Sequence, residues 1–138
     1  MINSRSLDDL QPRVAELARR WIHDCRAAGL EILVFSTWRD AEQQDAEYAR
    51  GRTVPGPIVT EQRGGFSMHN WRVALDFCPM EGAKCAWDDR AAFGRAGALA
   101  EALGFEWGGR WSTLHDLDHI QYTGGLTLAQ LQAGGTVA

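Results

Sequence analysis

Phe66-Ser67-Met68-His69-Asn70-Trp71-Arg72-Val73-Ala74-Leu75-Asp76-Phe77 is the stretch on which the reading of this chain turns. It sets one imidazole and one carboxylate in apolar and aromatic surroundings, where an unpaired charge is costly to bury. The stretch ends in a strand through Phe77. A cation held between His69 and Asp76 would compensate the charge, and zinc suits a nitrogen and oxygen donor set.

The spacing constrains how the two could share an ion. On a straight strand an odd separation puts His69 and Asp76 on opposite faces, and on a helix seven residues rise about 10 Å. The chain must therefore bend between them, and Asn70-Trp71-Arg72 is the place for it. A third ligand is available far along the chain, in His115-Asp116-Leu117-Asp118-His119. Two readings of that segment stand. If residues 112–120 are helical, His115 and His119 share a face at i, i+4, although Asp116 stands where an H-E-x-x-H site has its glutamate. If His119 instead opens a strand, it is the ligand alone, and Asp116 lies on a turn where it can accept a proton from activated water.

Outward from this centre the pattern predicts an α+β fold. Apolar residues at Leu10, Val14, Leu17, Trp21 and Cys25 have helical spacing. Pro12 is tolerated only in a first turn, so that helix should begin near Asp9 or Leu10 and stop at Gly29. Leu30 to Ser36 reads as a strand. Asp40 and Gln43 resemble a capping box for a helix reaching about Arg50, which places Arg39 at a rigid strand-to-helix junction. The Pro- and Gly-containing segment 51–65 is a long loop. After a loop at Pro79 to Lys84, Asp88 or Asp89 caps a helix ending at Gly104. Short strands at Phe105–Trp107 and His119–Tyr122 and a final helix near Thr127 complete a single domain over residues 1–138, with a short, mainly antiparallel sheet and three or so helices.

Composition removes several classes. Fourteen Lys+Arg against 18 Asp+Glu give a net charge of −4, so no broad basic field invites nucleic acid or an anionic membrane. The N-terminal residues lack the apolar core of a signal peptide, and no run approaches the roughly 18 apolar residues of a membrane span. A cytoplasmic, monomeric protein is expected. Cys25, Cys78 and Cys85 form no C-x-x-C pair and are read as reduced thiols, with a Cys78–Cys85 bridge as the alternative.

The residues also carry a likeness. Ser67-Met68-His69 followed by Ala74 and Asp76 resembles the S-x-H-x-x-G-x-A-x-D motif of zinc peptidases of the M15 family. Trp107-Gly108-Gly109 with Asp116-Leu117-Asp118-His119-Ile120-Gln121 resembles the W-G-G … D-x-P-H-F-Q ending of its phage endolysin subgroup, the L-alanyl-D-glutamate peptidases. Arg39, Gln43, Tyr48 and Gly51-Arg52-Thr53 resemble a third segment of that subgroup. The resemblance implies zinc on His69, Asp76 and His119, Asp116 as catalytic base, Arg39 as oxyanion stabiliser or substrate anchor, and Ser67 and Gln43 near the substrate. It further implies a peptidoglycan stem peptide as substrate and a lysin held in the host cytoplasm until a holin releases it. Arg72 departs from the motif's glycine, and Asp118 and Ile120 replace its Pro and Phe. Asp118 thereby adds a negative charge beside a ligand and offers a rival base. The alternatives are a D-Ala-D-Ala carboxypeptidase or dipeptidase on the same scaffold, and a non-catalytic, zinc-stabilised binding module.

Overall fold

A computed structural model describes residues 1–112 and 115–138. Among them four α-helices, α1 (Pro12–Ala27), α2 (Ala41–Ala49), α3 (Arg90–Ala102) and α4 (Leu128–Gln132), accompany five strands. The strands are β1 (Ile32–Ser36), β2 (Ala74–Glu81), β3 (Lys84–Cys85), β4 (Glu106–Trp107) and β5 (His119–Gln121). The sheet order is β1-β2-β5-β4 with β3 on β2, and every pairing is antiparallel. The expected α+β class and antiparallel sheet are both present. None of the described helices is long and apolar enough to cross a membrane.

The alternation of side chains along a strand assigns the two faces of this sheet. Leu75 and Phe77 of β2 and Ile120 of β5 are fully buried against the helices. There the Trp21 ring meets Phe77 edge-on at 4.9 Å, and its indole N–H donates to the Ala96 carbonyl at 2.9 Å. Asp76, between Leu75 and Phe77, must then face the other way. Its cross-strand neighbours are Ser36 on β1 and His119 on β5, so the strand register alone gathers these three on the face opposite the core.

Helix boundaries follow the predicted signals with one shift. Asp40, Asp89 and Thr127 each accept a backbone N–H at the start of a helix. The first helix begins at Pro12, later than expected, because Leu7–Asp9 form a separate 3-10 turn capped by Ser6. Pro79 does not break β2. The N–H of Phe77 donates to Asp118 and that of Met80 to Glu31 on the opposite side. The Pro79 nitrogen is therefore on the β5 side, past the end of that strand, where Ala86 donates to the Pro79 carbonyl and the Ala86 carbonyl already accepts from Asp89. β2 runs on and folds back as a hairpin, so the expected loop at 79–84 is two residues of turn. That hairpin brings Cys78 and Cys85 to a Cα separation of 5.7 Å and they form a disulfide, leaving Cys25 as the free thiol. The expectation of three reduced cysteines is thereby corrected: separation in sequence said nothing of the fold-back, and the distance lies inside the range a bridge needs. Burial pushes the Cys25 thiol up to about 12, so it stays protonated and unreactive.

The bend required between His69 and Asp76 is made where it was expected. Met68–Trp71 form a 3-10 turn, and Arg72 follows in the left-handed conformation, with φ 63° and ψ 33°. It is the one non-glycine residue with positive φ among those described. An L-residue there gives up about 1–2 kcal/mol. Arg72 recovers part of this through its guanidinium, 3.9 Å from the centre of the Trp38 ring, a contact of about 0.5–1 kcal/mol when exposed. Arg72→Ala, which keeps the strain and loses the contact, should lower stability by about that 0.5–1 kcal/mol. Arg72→Gly, which loses both, should exceed the alanine variant by about 1 kcal/mol. Urea midpoints of the three proteins check the order, and a glycine variant less stable than the alanine one would refute the strain account.

Candidate metal centre and active site

His69, Asp76 and His119 each offer a ligand atom to one group, and these atoms all lie within 4.8 Å of one another. His69 Nε2 is 3.2 Å and His119 Nδ1 3.1 Å from the same oxygen, Asp76 Oδ1. The His69 ring comes from the 3-10 turn, the other two side chains from paired positions on β2 and β5. His69 Nδ1 lies 2.8 Å from the Thr37 carbonyl. A carbonyl only accepts, so Nδ1 carries the hydrogen, and the neutral ring turns a bare lone pair toward Asp76. A lone pair facing a carboxylate oxygen in a buried place needs a positive charge between them. A proton can supply that charge and so can a metal ion, for which two nitrogens and one carboxylate oxygen are suitable donors.

The electrostatics without an ion point the same way. Burial works to raise the Asp76 pKa, but the charges and hydrogen bonds of His69 and His119 hold it well below the usual carboxylate range. Burial works to lower that of His119, and the bond to Asp76 outweighs it, so the value is raised.

These residues line a cleft of about 720 Å³, together with Arg39, Ser67, Trp111, Asp116 and Asp118. Arg39 projects from the junction of β1 and α2 and is braced on several sides. It donates to Gln44 Oε1 at 2.9 Å and to Ser36 Oγ at 3.2 Å, pairs with Glu47 at 2.8 Å, and stands 3.6 Å from Asp76 Oδ2. Gln44 is fully buried and also donates to Thr60 Oγ1 and the Gln62 carbonyl, tying the long loop to the same guanidinium. Ser67 Oγ accepts the His69 N–H at 3.3 Å and so caps the turn that presents the ring. Asn70 completes that cap and donates to the Arg39 carbonyl at 2.8 Å.

Gln43 is not among the cleft-lining residues; its backbone N–H bonds to Asp40, while its neighbour Gln44 points inward. Gln44, Glu47 and Asn70 were missed as site residues. Their polar character was visible, but only the burial of one helix face distinguishes Gln44 from Gln43. His115 is exposed, with Nδ1 3.3 Å from the Gly109 carbonyl, and does not join the His69 group. Residues 115–118 are not helical, so the i, i+4 reading fails there, and Thr113 and Leu114 of that reading lie outside the described residues.

Asp116 stands on an irregular turn fixed by the backbone. Its N–H donates to the Gly108 carbonyl at 3.1 Å, its carbonyl accepts from His119 N, and Trp107 Nε1 donates to the Leu117 carbonyl at 2.9 Å. Gly108 packs so closely that a Cβ there would strike the Asp116 carbonyl oxygen. Asp118 is largely buried beside it. That burial, a hydrogen bond to Asp116 and the negative charges of Asp76 and Asp116 lift its pKa from 3.8 to about 8. The metal-free folded protein therefore keeps a proton there that the unfolded chain releases at about pH 4. The stability this group contributes is complete below that and is lost as pH rises through about 8. In chelator-treated protein, wild-type melting temperature should fall relative to Asp118→Asn as pH rises from about 5 to about 8.5. Parallel pH profiles would refute the shift.

Two imidazoles and a carboxylate converge at the floor of a cleft, with further carboxylates and a braced guanidinium at its walls, a donor set and charge arrangement suited to a metal-dependent hydrolase. The comparisons agree. A family profile described as D-alanyl-D-alanine carboxypeptidase, of the M15 peptidases, matches residues 60–122. The peptidoglycan L-alanyl-D-glutamate endopeptidase CwlK of Bacillus subtilis (strain 168) is 34% identical over 122 residues, which cover 82% of this chain and 73% of that protein. The L-alanyl-D-glutamate peptidase of Listeria phage A118 is 33% identical over 124 residues, covering 86% of this chain and 41% of that protein. Among solved structures, the vancomycin resistance D,D-pentapeptidase VanY in complex with Zn(II) superposes with a TM-score of 0.64 at 15% identity, over 93% of this chain and 81% of that one. The chain belongs to the M15 family of peptidases.

Proposed function

We propose that the protein is a zinc-dependent endopeptidase that cleaves the L-Ala-D-Glu bond of peptidoglycan stem peptides. The observation that carries this reading is the convergence of His69 Nε2 and His119 Nδ1 on one Asp76 oxygen at the floor of the cleft that Asp116 lines. The names of the two curated relatives support the bond assigned, and the Zn(II) complex of a protein of the same fold supports the ion. The phage relative, of which this chain spans 41%, supports a role in host lysis. In that role the enzyme acts as a monomer, stays in the host cytoplasm and reaches the wall when a holin opens the membrane.

In this reading His69, Asp76 and His119 hold zinc, which supplies Lewis-acid polarisation of a carbonyl and acidification of water. Asp116 accepts the proton of the attacking water and returns it to the leaving amine. Arg39, held by Glu47, Gln44 and Ser36, offers fixed positive charge to the oxygen that becomes negative; loss of such a donor costs about 100- to 1,000-fold. Ser67 maintains the turn that presents His69 and reaches the cleft surface.

The D-alanyl-D-alanine description of the matching profile favours the rival reading, a carboxypeptidase. Mass spectrometry of a digest of purified peptidoglycan separates the two. The endopeptidase exposes the amine of D-Glu and liberates no D-alanine; free D-alanine as the product rejects it.

A further inference from the structure

Gln121 lies two residues beyond His119 on β5 and directly across from Glu106 on β4. Gln121 Nε2 donates to Glu106 Oε2 at 3.0 Å. An ionised carboxylate only accepts, so this contact settles which way the amide lies: its nitrogen faces Glu106 and its oxygen faces the histidine. Gln121 Oε1 is 2.8 Å from His119 Nε2. An amide oxygen also only accepts, so Nε2 carries the hydrogen, and the lone pair of the neutral ring falls on Nδ1, the atom 3.1 Å from Asp76.

From this chain of contacts we infer that Glu106 and Gln121 are positioning residues that hold His119 in the tautomer that donates to metal through Nδ1. The inference rests on the proposal that His119 is a zinc ligand. His69 reaches the same end through Thr37, but by a different device. A backbone carbonyl cannot change sides, whereas an amide can flip by half a turn and present its NH₂ to the ring. Flipped, it would demand the lone pair of Nε2 and put the hydrogen on Nδ1, where the metal belongs. Glu106 prevents that flip. Gln121 and His119 are both buried, at 8% and 7% exposure, so water offers little substitute for either partner. Glu106 is exposed and can be changed without opening the core.

The test is zinc affinity of the full-length metal-free protein, measured by competition with a chromophoric chelator, together with the ring ¹⁵N signals of His119. Gln121→Leu should bind zinc about 10- to 100-fold more weakly, the loss typical when the partner of a ligating histidine is removed. Its His119 should lose the signature of a hydrogen fixed on Nε2. Glu106→Leu, a surface change that spares the core, should weaken binding in the same direction. Glu106→Gln, whose own amide oxygen can still accept from Gln121, should restore wild-type affinity. Unchanged affinity in both leucine variants with His119 still protonated at Nε2 overturns the inference, as does equal weakening in Glu106→Gln and Glu106→Leu. Wild-type protein that fails to bind zinc overturns the ligand proposal beneath it instead.

Discussion

Zinc content should fall from one equivalent in the wild-type protein to almost none in His69→Ala and in His119→Ala, and hydrolysis should fall with it by about 1,000-fold or more. A zinc site of this kind has three protein ligands, so removing one leaves two donors in a cleft open to water. The hydrolysis estimate follows from the several kcal/mol that a Lewis acid contributes to stabilising developing charge, at about 1.4 kcal/mol per tenfold. His115→Ala should keep both metal and activity, since that ring is exposed and its Nδ1 faces the Gly109 carbonyl. Metal analysis of the three purified variants decides the matter, and loss of zinc in His115→Ala would sink the ligand set. The alanine variants should also fold, because His69 and His119 face the cleft and His115 is exposed, while the helices pack on Leu75, Phe77 and Ile120 behind them.

Asp116→Ala should retain its zinc and lose about 100- to 10,000-fold in kcat/KM, the range attached to a general base. The side chain is half-buried, and the turn that carries it is secured without it, by the Asp116 backbone bonded to Gly108 and by the Trp107 indole N–H bonded to the Leu117 carbonyl. Its removal should therefore leave the turn in place. Asp118 is the competitor. It lines the same cleft and holds a proton up to about pH 8 in the metal-free protein. The assignment is reversed if Asp118→Asn abolishes hydrolysis while Asp116→Ala spares it. A wild-type protein that binds zinc and hydrolyses no peptidoglycan would leave the non-catalytic binding module as the better account.

Much of this was legible in the sequence because it depends on local rules. The cap at Asp40, that at Asp88 or Asp89, the strand ending at Phe77 and the need for a bend at Asn70-Trp71-Arg72 all follow from neighbours within a few residues. The convergence of His69 and Asp76 with His119 was legible only as alternatives. The choice between His115 and His119 is made by strand register, Asp76 opposite His119, and register is a pairing of segments 43 residues apart. The Cys78–Cys85 bridge was legible only as the alternative, because residues 79–84 read as a loop, whereas β2 continues through Pro79 and the chain folds back so that Ala86 donates to the Pro79 carbonyl. The brace on Arg39 was illegible for a similar reason. Gln43 and Gln44 differ by about 100° around α2, and only the position of the loop that α2 packs on decides which of them is buried.

The contact between Gly108 and Asp116 bears on how this protein would look to selection. Any side chain at 108 would push the turn that carries the carboxylate, a turn that runs from β4 to His119 at the start of β5. In a pool of random variants sorted by turnover, position 108 would thus be depleted as severely as 116. A glycine with no functional group of its own would carry the genetic signature of a chemical residue, and an inventory of reactive side chains would overlook it.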